Sequence, residues 1–96
     1  MRRAARTDDN QTEIVKALRA IGCTVQSLAA VGEGCPDLLV ARNGINFLLE
    51  VKDGSKPKSS RGLTAKELIW SLQWKGQLAL VTSVKEALAA VGAELQ

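Results

Sequence analysis

The sequence contains no histidine among its 96 residues. This absence excludes Ser-His-Asp and Cys-His catalytic arrangements, zinc sites built on imidazole, and an imidazole general base. Any catalysis must therefore use carboxylates, amines, hydroxyls or thiols. We expect any metal site to be built mainly from oxygen ligands.

Cysteine is also scarce, and long apolar segments are absent. Cys23 and Cys35 stand singly, with no Cys-x-x-Cys spacing, and we interpret them as reduced thiols of a cytoplasmic protein. No apolar run approaches the ~20 residues of a membrane-spanning helix. The basic start of the chain is followed by no apolar stretch of the kind found in a secretory signal. We therefore expect a cytoplasmic protein with no membrane partner.

What the sequence does contain is a modest excess of positive charge in a chain of one-domain length. Lys and Arg number 13 against 10 for Asp and Glu, which gives a net charge of +3 and favours an anionic partner. We expect a single domain over residues 1–96. Residues 54–62 hold Lys56, Lys58 and Arg61 and no acid among turn-forming residues. This segment is either a solvated surface loop or a flexible basic loop that contacts phosphates.

The spacing of apolar residues predicts an α/β domain. Helical periodicity predicts helices at about residues 10–21, 64–75 and after Ser83. Apolar runs predict strands at about residues 23–31, 37–42, 45–52 and 77–82. The expected order is αβββαβα, with a mixed four-stranded sheet flanked by helices, because a strand reached through a helix lies parallel to its neighbour.

The helix ends and buried faces are also predicted from the pattern. Asp8, Asp9 and Asn10 are capping candidates for the first helix, and Thr64 with Glu67 has capping-box spacing at the start of the second. Ser83 and Glu86 have the same spacing at the start of the third helix. The side chains that we expect the second helix to bury are Leu68, Ile69 and Leu72.

The segment from residue 37 to residue 52 predicts a β-hairpin. Asn43-Gly44 is a favoured pair for a two-residue type I′ turn, because both positions need positive φ. Cross-strand partners are then positions whose numbers sum to eighty-seven, so Asp37 lies opposite Glu50 with Cβ atoms roughly 4.5–5.5 Å apart. Side chains alternate across a strand, so Lys52 projects on the same face as Glu50.

Two neighbouring acids need an explanation. Like charges on adjacent strands are unfavourable, and a buried pair pushes one carboxyl toward protonation. Mg²⁺ removes the conflict, since it takes one or two carboxylates and keeps several waters for a phosphate substrate. The alternative is that Asp37 only starts a strand after Pro36, while Glu50 and Lys52 form an exposed face. The apolar neighbours of these residues on both strands indicate burial and favour the metal site.

These residues also carry a family resemblance. The segments involved are Gly34-Cys35-Pro36-Asp37-Leu38-Leu39, Glu50-Val51-Lys52, Leu63-Thr64, Trp70 and Val81-Thr82-Ser83. Together with an acid in the first helix, they resemble the PD-(D/E)XK nuclease superfamily, and more narrowly its VRR-NUC branch, the virus-type replication-repair nucleases. The resemblance covers residues 13–91, and it implies a restriction-endonuclease-like core whose order of helix, three strands, helix and strand matches the order predicted above.

The resemblance implies a role for each position of the motif. Asp37 and Glu50 would bind a catalytic Mg²⁺, for which Mn²⁺ would substitute, together with the backbone carbonyl of Val51. Lys52 would position or activate the hydrolytic water. Glu13 would complete the site from the first helix, directly or through water. The alternative for Glu13 is a capping role or a solvated position at the edge of the apolar face.

The implied activity is that of a DNA endonuclease acting on branched or junction DNA, such as a Holliday junction, during replication and repair in a bacterial or phage-infected cell. Cutting both strands of a junction needs two active sites, so we expect a homodimer. The candidate contacts to the DNA backbone are Lys56, Lys58, Arg61, Arg2, Arg3 and Arg6. Two other classes stay open: a non-catalytic DNA-binding module that retains the nuclease fold, and an assembly protein with an incidental carboxylate pair.

Three residues of the second helix keep two interpretations each. The family often has glutamine near the start of this helix, where the chain has Glu67, but the capping box explains Glu67 without catalysis. Trp70 and Trp74 lie one turn apart. We interpret them as core or subunit-interface residues, with a base-stacking platform as the alternative.

Overall fold

The computed structural model describes residues 10–60 and 62–93, apart from the side chain of Ser60. The helices are α1 (Gln11–Ala20), α2 (Ala65–Gln73) and α3 (Val84–Ala90), and the strands are β1 (Thr24–Ser27), β2 (Leu38–Arg42), β3 (Ile45–Val51) and β4 (Ala79–Val81). A single 3₁₀ turn, Lys58–Ser60, lies between β3 and α2. The predicted α/β class is confirmed, and the described elements follow the expected order. No helix within these residues is long and apolar enough to cross a membrane.

The four strands form one mixed sheet in the order β1-β2-β3-β4. The first three strands are antiparallel neighbours, and β4 runs parallel to β3. The hairpin turn is as predicted, because Asn43 has φ 53° and Gly44 has φ 78°, the combination that a type I′ turn requires. The pairing runs without a bulge from Arg42 opposite Ile45 to Leu38 opposite Leu49, so the predicted register is confirmed over β2.

The hydrophobic core lies on one face of this sheet. Helix α1 packs against β1 and α3, and α3 also packs against β4. Ile14 and Leu18 of α1 are fully buried, and the alternating residues Leu38 and Val40 meet them from β2. Cys23 closes this core beside β1, and both it and the partly buried Cys35 are free thiols, as predicted.

The expected burial of the α2 side chains is wrong. Leu68, Ile69 and Leu72 are 49%, 57% and 73% exposed, and no residue of α2 is buried. The capping box itself is confirmed, since Thr64 Oγ1 accepts from the Glu67 N–H and Glu67 Oε1 accepts from the Thr64 N–H. Helical periodicity identifies an apolar stripe, but it does not say whether the stripe faces the sheet.

The side of α2 that is partly covered is the opposite one, which carries Glu67, Trp70 and Ser71. Trp70 stacks on Trp74 with ring centroids 4.7 Å apart. Trp74 is 44% exposed, and its indole N–H donates to the Gln77 carbonyl at 3.0 Å. The two tryptophans therefore pack mainly on each other and are not part of the buried core.

The start of α1 departs from the predicted capping. Asn10 occupies the N-cap position, but its side chain makes no capping bond. Its Nδ2 instead donates to the carbonyls of Lys52 and Thr82, both at 3.1 Å. The other two capping candidates, Asp8 and Asp9, lie outside the described residues. Asn10 thus ties the first helix to the ends of the parallel strands β3 and β4.

Two strands are shorter than predicted. Strand β1 stops at Ser27 because the chain then turns back, with Gly32, Glu33 and Gly34 all at positive φ. Strand β4 begins only at Ala79, because Gln77 bonds to β3 through its side-chain amide and not through its backbone. Gln77 Oε1 accepts from the Leu48 N–H at 2.6 Å, and its Nε2 donates to the Leu48 carbonyl at 3.2 Å.

The third helix is capped as expected at Ser83, whose Oγ accepts from the Glu86 N–H at 3.1 Å. Glu86 does not complete a reciprocal box with Ser83. Its Oε1 accepts from the N–H and hydroxyl of Thr82, at 2.7 and 2.8 Å, which holds the end of β4 against the start of α3.

Candidate active site

The ends of β2 and β3 bring the two predicted carboxylates together. Asp37 stands one residue before β2. Glu50 lies in β3, one residue after Leu49, which is the last residue of β3 that pairs with β2. The two carboxyl groups are within hydrogen-bonding reach of each other. Asp37 Oδ2 also accepts from the Val51 N–H at 2.7 Å. The unshifted register therefore places these two acids side by side, as the turn predicts.

Pro36 interrupts the pairing of β2 with β3 next to Asp37. Continuing the register by two positions sets Pro36 opposite Val51, but proline has no N–H to give to the Val51 carbonyl. The regular ladder between the two strands ends at Leu38 and Leu49, and the Val51 N–H bonds to the Asp37 carboxylate. Pro36 is also among the fully buried side chains, so the chain direction at Asp37 is held firmly.

Lys52 lies beside this pair and is held by two acids. Its Nζ is 3.6 Å from Glu50 Oε2 and 2.8 Å from Glu67 Oε1, and only 11% of its side chain is exposed. Glu67 Oε1 accepts from both Lys52 Nζ and the Thr64 N–H. Glu67 therefore does more than cap α2: the helix cap is also the contact that holds the lysine of the motif.

A close contact at Gly34 brings the start of α2 near enough for Glu67 to reach Lys52. Gly34 has φ +83°, and a Cβ at this position would lie 3.0 Å from Glu67 N and closer still to the Lys66 carbonyl. Only glycine permits both the backbone conformation and the close approach. Lys66 also lies 3.8 Å from Glu33, between Nζ and Oε2, but both side chains are largely exposed, so this pair adds little to the contact. The loop before Pro36 thus fixes the start of α2, and through it Glu67.

The pKa values of the three acids in the cluster, Asp37, Glu50 and Glu67, are shifted in different directions. Burial raises the pKa of Glu50 to about 9, with the neighbouring Asp37 charge as the next cause, and Glu50 is only 4% exposed. Burial also raises the pKa of Asp37, although the Val51 N–H bond opposes the shift. Burial acts in the same direction on Glu67, but hydrogen bonds led by that from Lys52 outweigh it and hold the pKa of Glu67 below its ordinary value. At neutral pH and without a cation, Asp37 and Glu50 therefore share a proton, with Glu50 the more basic of the two.

The donor atoms suit a hard divalent cation in an open site. Within residues 10–60 and 62–93, no group of three or more His, Cys, Asp or Glu side chains is arranged to hold a metal ion. The oxygen ligands that the structure brings together here are the carboxylates of Asp37 and Glu50. Mg²⁺ is commonly held by one or two carboxylates with several waters, and a cation here would replace the proton that the buried pair otherwise needs. The residues therefore fit Mg²⁺ or Mn²⁺.

Glu13 does not join this cluster. It is exposed and lines a cleft of about 670 Å³ with Asn10, Asp53, Ser55 and other residues at the starts of α1 and α3. The acidic charges that raise the pKa of Glu50 come from Asp37 and Glu67. The acid that the resemblance expects in the first helix is present in the sequence as Glu13. In the structure, however, the third acid beside Asp37 and Glu50 is Glu67. The sequence signal for Glu67 was its place near the start of the second helix.

The predicted DNA contacts are described only in part. Arg2, Arg3, Arg6 and Arg61 lie outside the described residues. Lys56 and Lys58 are exposed, and Lys58 begins the 3₁₀ turn. The start of the loop is anchored, because Asp53 Oδ1 accepts from the N–H and hydroxyl of Ser55 at 2.9 and 2.7 Å. Both lysines lie in the loop that follows β3, the strand that carries Glu50.

Comparisons of the chain with protein-family models, with curated proteins and with solved structures give no match. The family resemblance drawn from the short motifs therefore stays an interpretation of the residues themselves. What the structure adds is the geometry of Asp37, Glu50, Lys52 and Glu67.

Proposed function

We propose that the protein is a Mg²⁺- or Mn²⁺-dependent nuclease that hydrolyses phosphodiester bonds in DNA, with Asp37, Glu50 and Lys52 as its active centre. One observation supports this most: the buried acid Glu50 lies beside the half-buried acid Asp37, with Lys52 at the edge of the pair. Such a pair lowers the stability of the fold, because burial and mutual repulsion oppose ionisation of both groups. Perturbed acids of this kind cluster at functional sites.

The side chains divide the work between them. Asp37 and Glu50 would hold the cation, with the Val51 carbonyl, and the Val51 N–H orients the Asp37 carboxylate for this task. When bound, the cation supplies a Lewis acid for the phosphate and a water of lowered pKa. Lys52 places a positive charge beside the scissile phosphate and stabilises the charge that develops on it. Glu67 positions Lys52 through their 2.8 Å ion pair.

The substrate class comes from the resemblance to the VRR-NUC branch. We propose branched or junction DNA in replication and repair, cut by a restriction-endonuclease-like core. The exposed Lys56 and Lys58 support a polyanionic substrate, because they stand in the loop that leaves the strand of Glu50. Backbone contacts of this kind do not read sequence.

A cleavage assay tests the proposal. Flap, fork and four-way junction DNA are incubated with Mg²⁺, with Mn²⁺ or with EDTA, and the products are resolved on denaturing gels. We expect cutting with either cation, none in EDTA, none with Asp37→Asn or Glu50→Gln, and strongly reduced cutting with Lys52→Met. Glu33→Gln is the matched control, since the Glu33 side chain is 85% exposed. Cutting in EDTA, or cutting that survives all three active-centre substitutions, would sink the assignment.

A non-catalytic DNA-binding module that retains the nuclease fold is the second candidate. The observation in its favour is that Lys52 already lies between two acids of its own chain, so its charge is partly neutralised internally. Metal-independent binding to the same DNA substrates, with no cutting in either cation, would support this alternative.

A further inference from the structure

A small pocket lies between the end of α2 and the sheet, outside the candidate active centre. Its volume is about 360 Å³, and the residues around it are Leu39, Asn46, Phe47, Leu48, Trp74 and Gln77. This volume is at the lower end of the range for ligand sites in proteins. The pocket therefore suits one small, flat group and not an extended ligand.

The pocket is on the same face of the sheet as the two acids. Side chains alternate along a strand, so Asn46, Leu48 and Glu50 of β3 project from one face. Leu48 is two residues from Glu50, which is a separation of roughly 7 Å along the strand. Leu39 pairs with Leu48 across the hairpin and extends the same wall. A phosphate at the acids and a group in the pocket can therefore belong to neighbouring parts of one molecule.

The pocket also has an aromatic wall. Trp74 is 44% exposed, and its ring stacks on Trp70 with centroids 4.7 Å apart and ring planes 23° apart. Its indole N–H donates to the Gln77 carbonyl at 3.0 Å, which fixes the orientation of the ring. Trp70 lies one turn from Glu67 on the partly covered side of α2. The same side of this helix thus supplies the contact to Lys52 and the support for the aromatic wall.

The chemistry of these walls favours a nucleobase. Unpaired bases stack on aromatic side chains in proteins that bind single strands, and the half-buried Leu39 and Leu48 offer further apolar surface. The exposed Asn46 places an amide at the rim, which can bond to the edge of a base. A base inside a duplex cannot enter, because its neighbours cover both of its faces.

The charges around the pocket also favour a base in it and a phosphate beside it. None of the described residues that line the pocket is charged, so the pocket itself does not suit a phosphate. The cations lie beyond it, at Lys52 next to the two acids and at Lys56 and Lys58 in the following loop. This division matches a nucleotide strand, which has an apolar base and a charged backbone.

We propose that the pocket binds one unpaired base of the DNA strand that is cut, with the base stacked on Trp74. The proposal rests on the proposed nuclease function, because the phosphate held at the active centre brings the neighbouring base to the pocket. It also narrows the substrate class. DNA with an unpaired nucleotide next to the cut, as in a flap or at a branch point, is preferred to a continuous duplex, a distinction that backbone contacts alone do not make.

A fluorescence titration tests the pocket, because Trp70 and Trp74 are the only two tryptophans in the chain. The full chain is titrated with a thymidine oligonucleotide, with an abasic strand of the same length and charge, and with a blunt duplex. The buffer contains Ca²⁺, which takes the same oxygen ligands as Mg²⁺, and a gel checks that the strands stay intact. We expect the thymidine strand to quench the emission and to bind about tenfold more tightly than the abasic strand. The duplex should not quench.

Two substitutions of Trp74 separate stacking from a purely structural role. Trp74→Leu should weaken binding of the thymidine strand about tenfold and leave binding of the abasic strand unchanged. Trp74→Phe keeps a flat ring and should bind within about threefold of the wild-type chain. Affinity is measured from the anisotropy of a labelled strand, because these variants lack one indole, and far-ultraviolet circular dichroism checks that both are folded.

Leu72→Ala is the matched control. Leu72 is an apolar residue of the same helix and is 73% exposed, but it does not line the pocket, so this variant should bind like the wild-type chain. Equal affinity of the wild-type chain for the thymidine and abasic strands would overturn the proposal. It would also be overturned if Trp74→Leu kept the preference for the thymidine strand.

The outcomes distinguish the pocket from the nuclease activity. Base-dependent binding with no cutting in Mg²⁺ or Mn²⁺ would refute the nuclease function and leave the base pocket standing. Metal-dependent cutting without any preference for the thymidine strand would refute the pocket and leave the nuclease function standing.

Discussion

Replacing Glu50 with glutamine should make the metal-free protein more stable while abolishing cleavage. The pKa of Glu50 rises from 4.5 to about 9 on folding. Between these two values the folded chain binds more protons than the unfolded chain, so its stability falls as pH rises. Glutamine matches the shape of the protonated acid and can still donate to Asp37, but it has no proton to lose.

The size of the effect follows from the same shift. At pH 8 the cost of keeping Glu50 protonated has an upper bound of about 5 kcal/mol, at about 1.4 kcal/mol per pH unit above the unfolded pKa. Because Asp37 shares the proton, we expect roughly 2–3 kcal/mol. For a chain of this size that is an increase in Tm of about 10–20 °C. At pH 5 the difference should fall below about 1 kcal/mol.

Thermal and urea unfolding in EDTA at pH 5 and pH 8 measures this difference. Glu86→Gln is the control of opposite sign. Hydrogen bonds from Thr82 lower the pKa of Glu86, so its stabilisation is present above the unfolded pKa and is lost as pH falls. Glu86→Gln should therefore lower the Tm at pH 8. The reasoning is refuted if Glu50→Gln is destabilising at pH 8, or if its effect is equal at both pH values.

Three further predictions concern the surroundings of the site. Gly34→Ala should lower the free energy of unfolding by at least ~2 kcal/mol more than Gly32→Ala, because both have positive φ but only Gly34 meets backbone atoms; equal urea midpoints would contradict this. Lys52→Met should reduce kcat by about 100-fold or more and leave DNA affinity within a few fold; an equal loss in both would indicate a binding role. The double variant Lys56→Ala, Lys58→Ala should flatten the slope of log Kd against log salt by up to ~2, and an unchanged slope would remove these lysines from the interface.

The hairpin and its two acids could be predicted from sequence because the information is local. The φ values of Asn43 and Gly44 select one turn type, and the turn then sets the register as far as Leu38. Each further position follows by counting, which is why Asp37 and Glu50 could be placed side by side without a known fold.

The direction in which α2 faces could not be predicted in this way. A period of 3.6 residues shows that Leu68 and Leu72 share a side, but it does not show which side turns inward. That choice involves contacts remote in sequence, such as the close approach of Gly34 to the backbone of Glu67. The same limit explains Glu67 and Glu13. Both acids lie in the first turns of helices, and only the tertiary packing decides which of them meets Lys52.

The side chain of Gln77 has a consequence for the behaviour of the chain at high concentration. Strand β3 has seven residues and β4 only three, so part of the β3 edge extends past its neighbour. An open strand edge is a template on which another molecule can add a strand and begin to aggregate. The side-chain amide of Gln77 bonds to both the N–H and the carbonyl of Leu48 on that edge. These two backbone groups are therefore not available to a strand from another molecule.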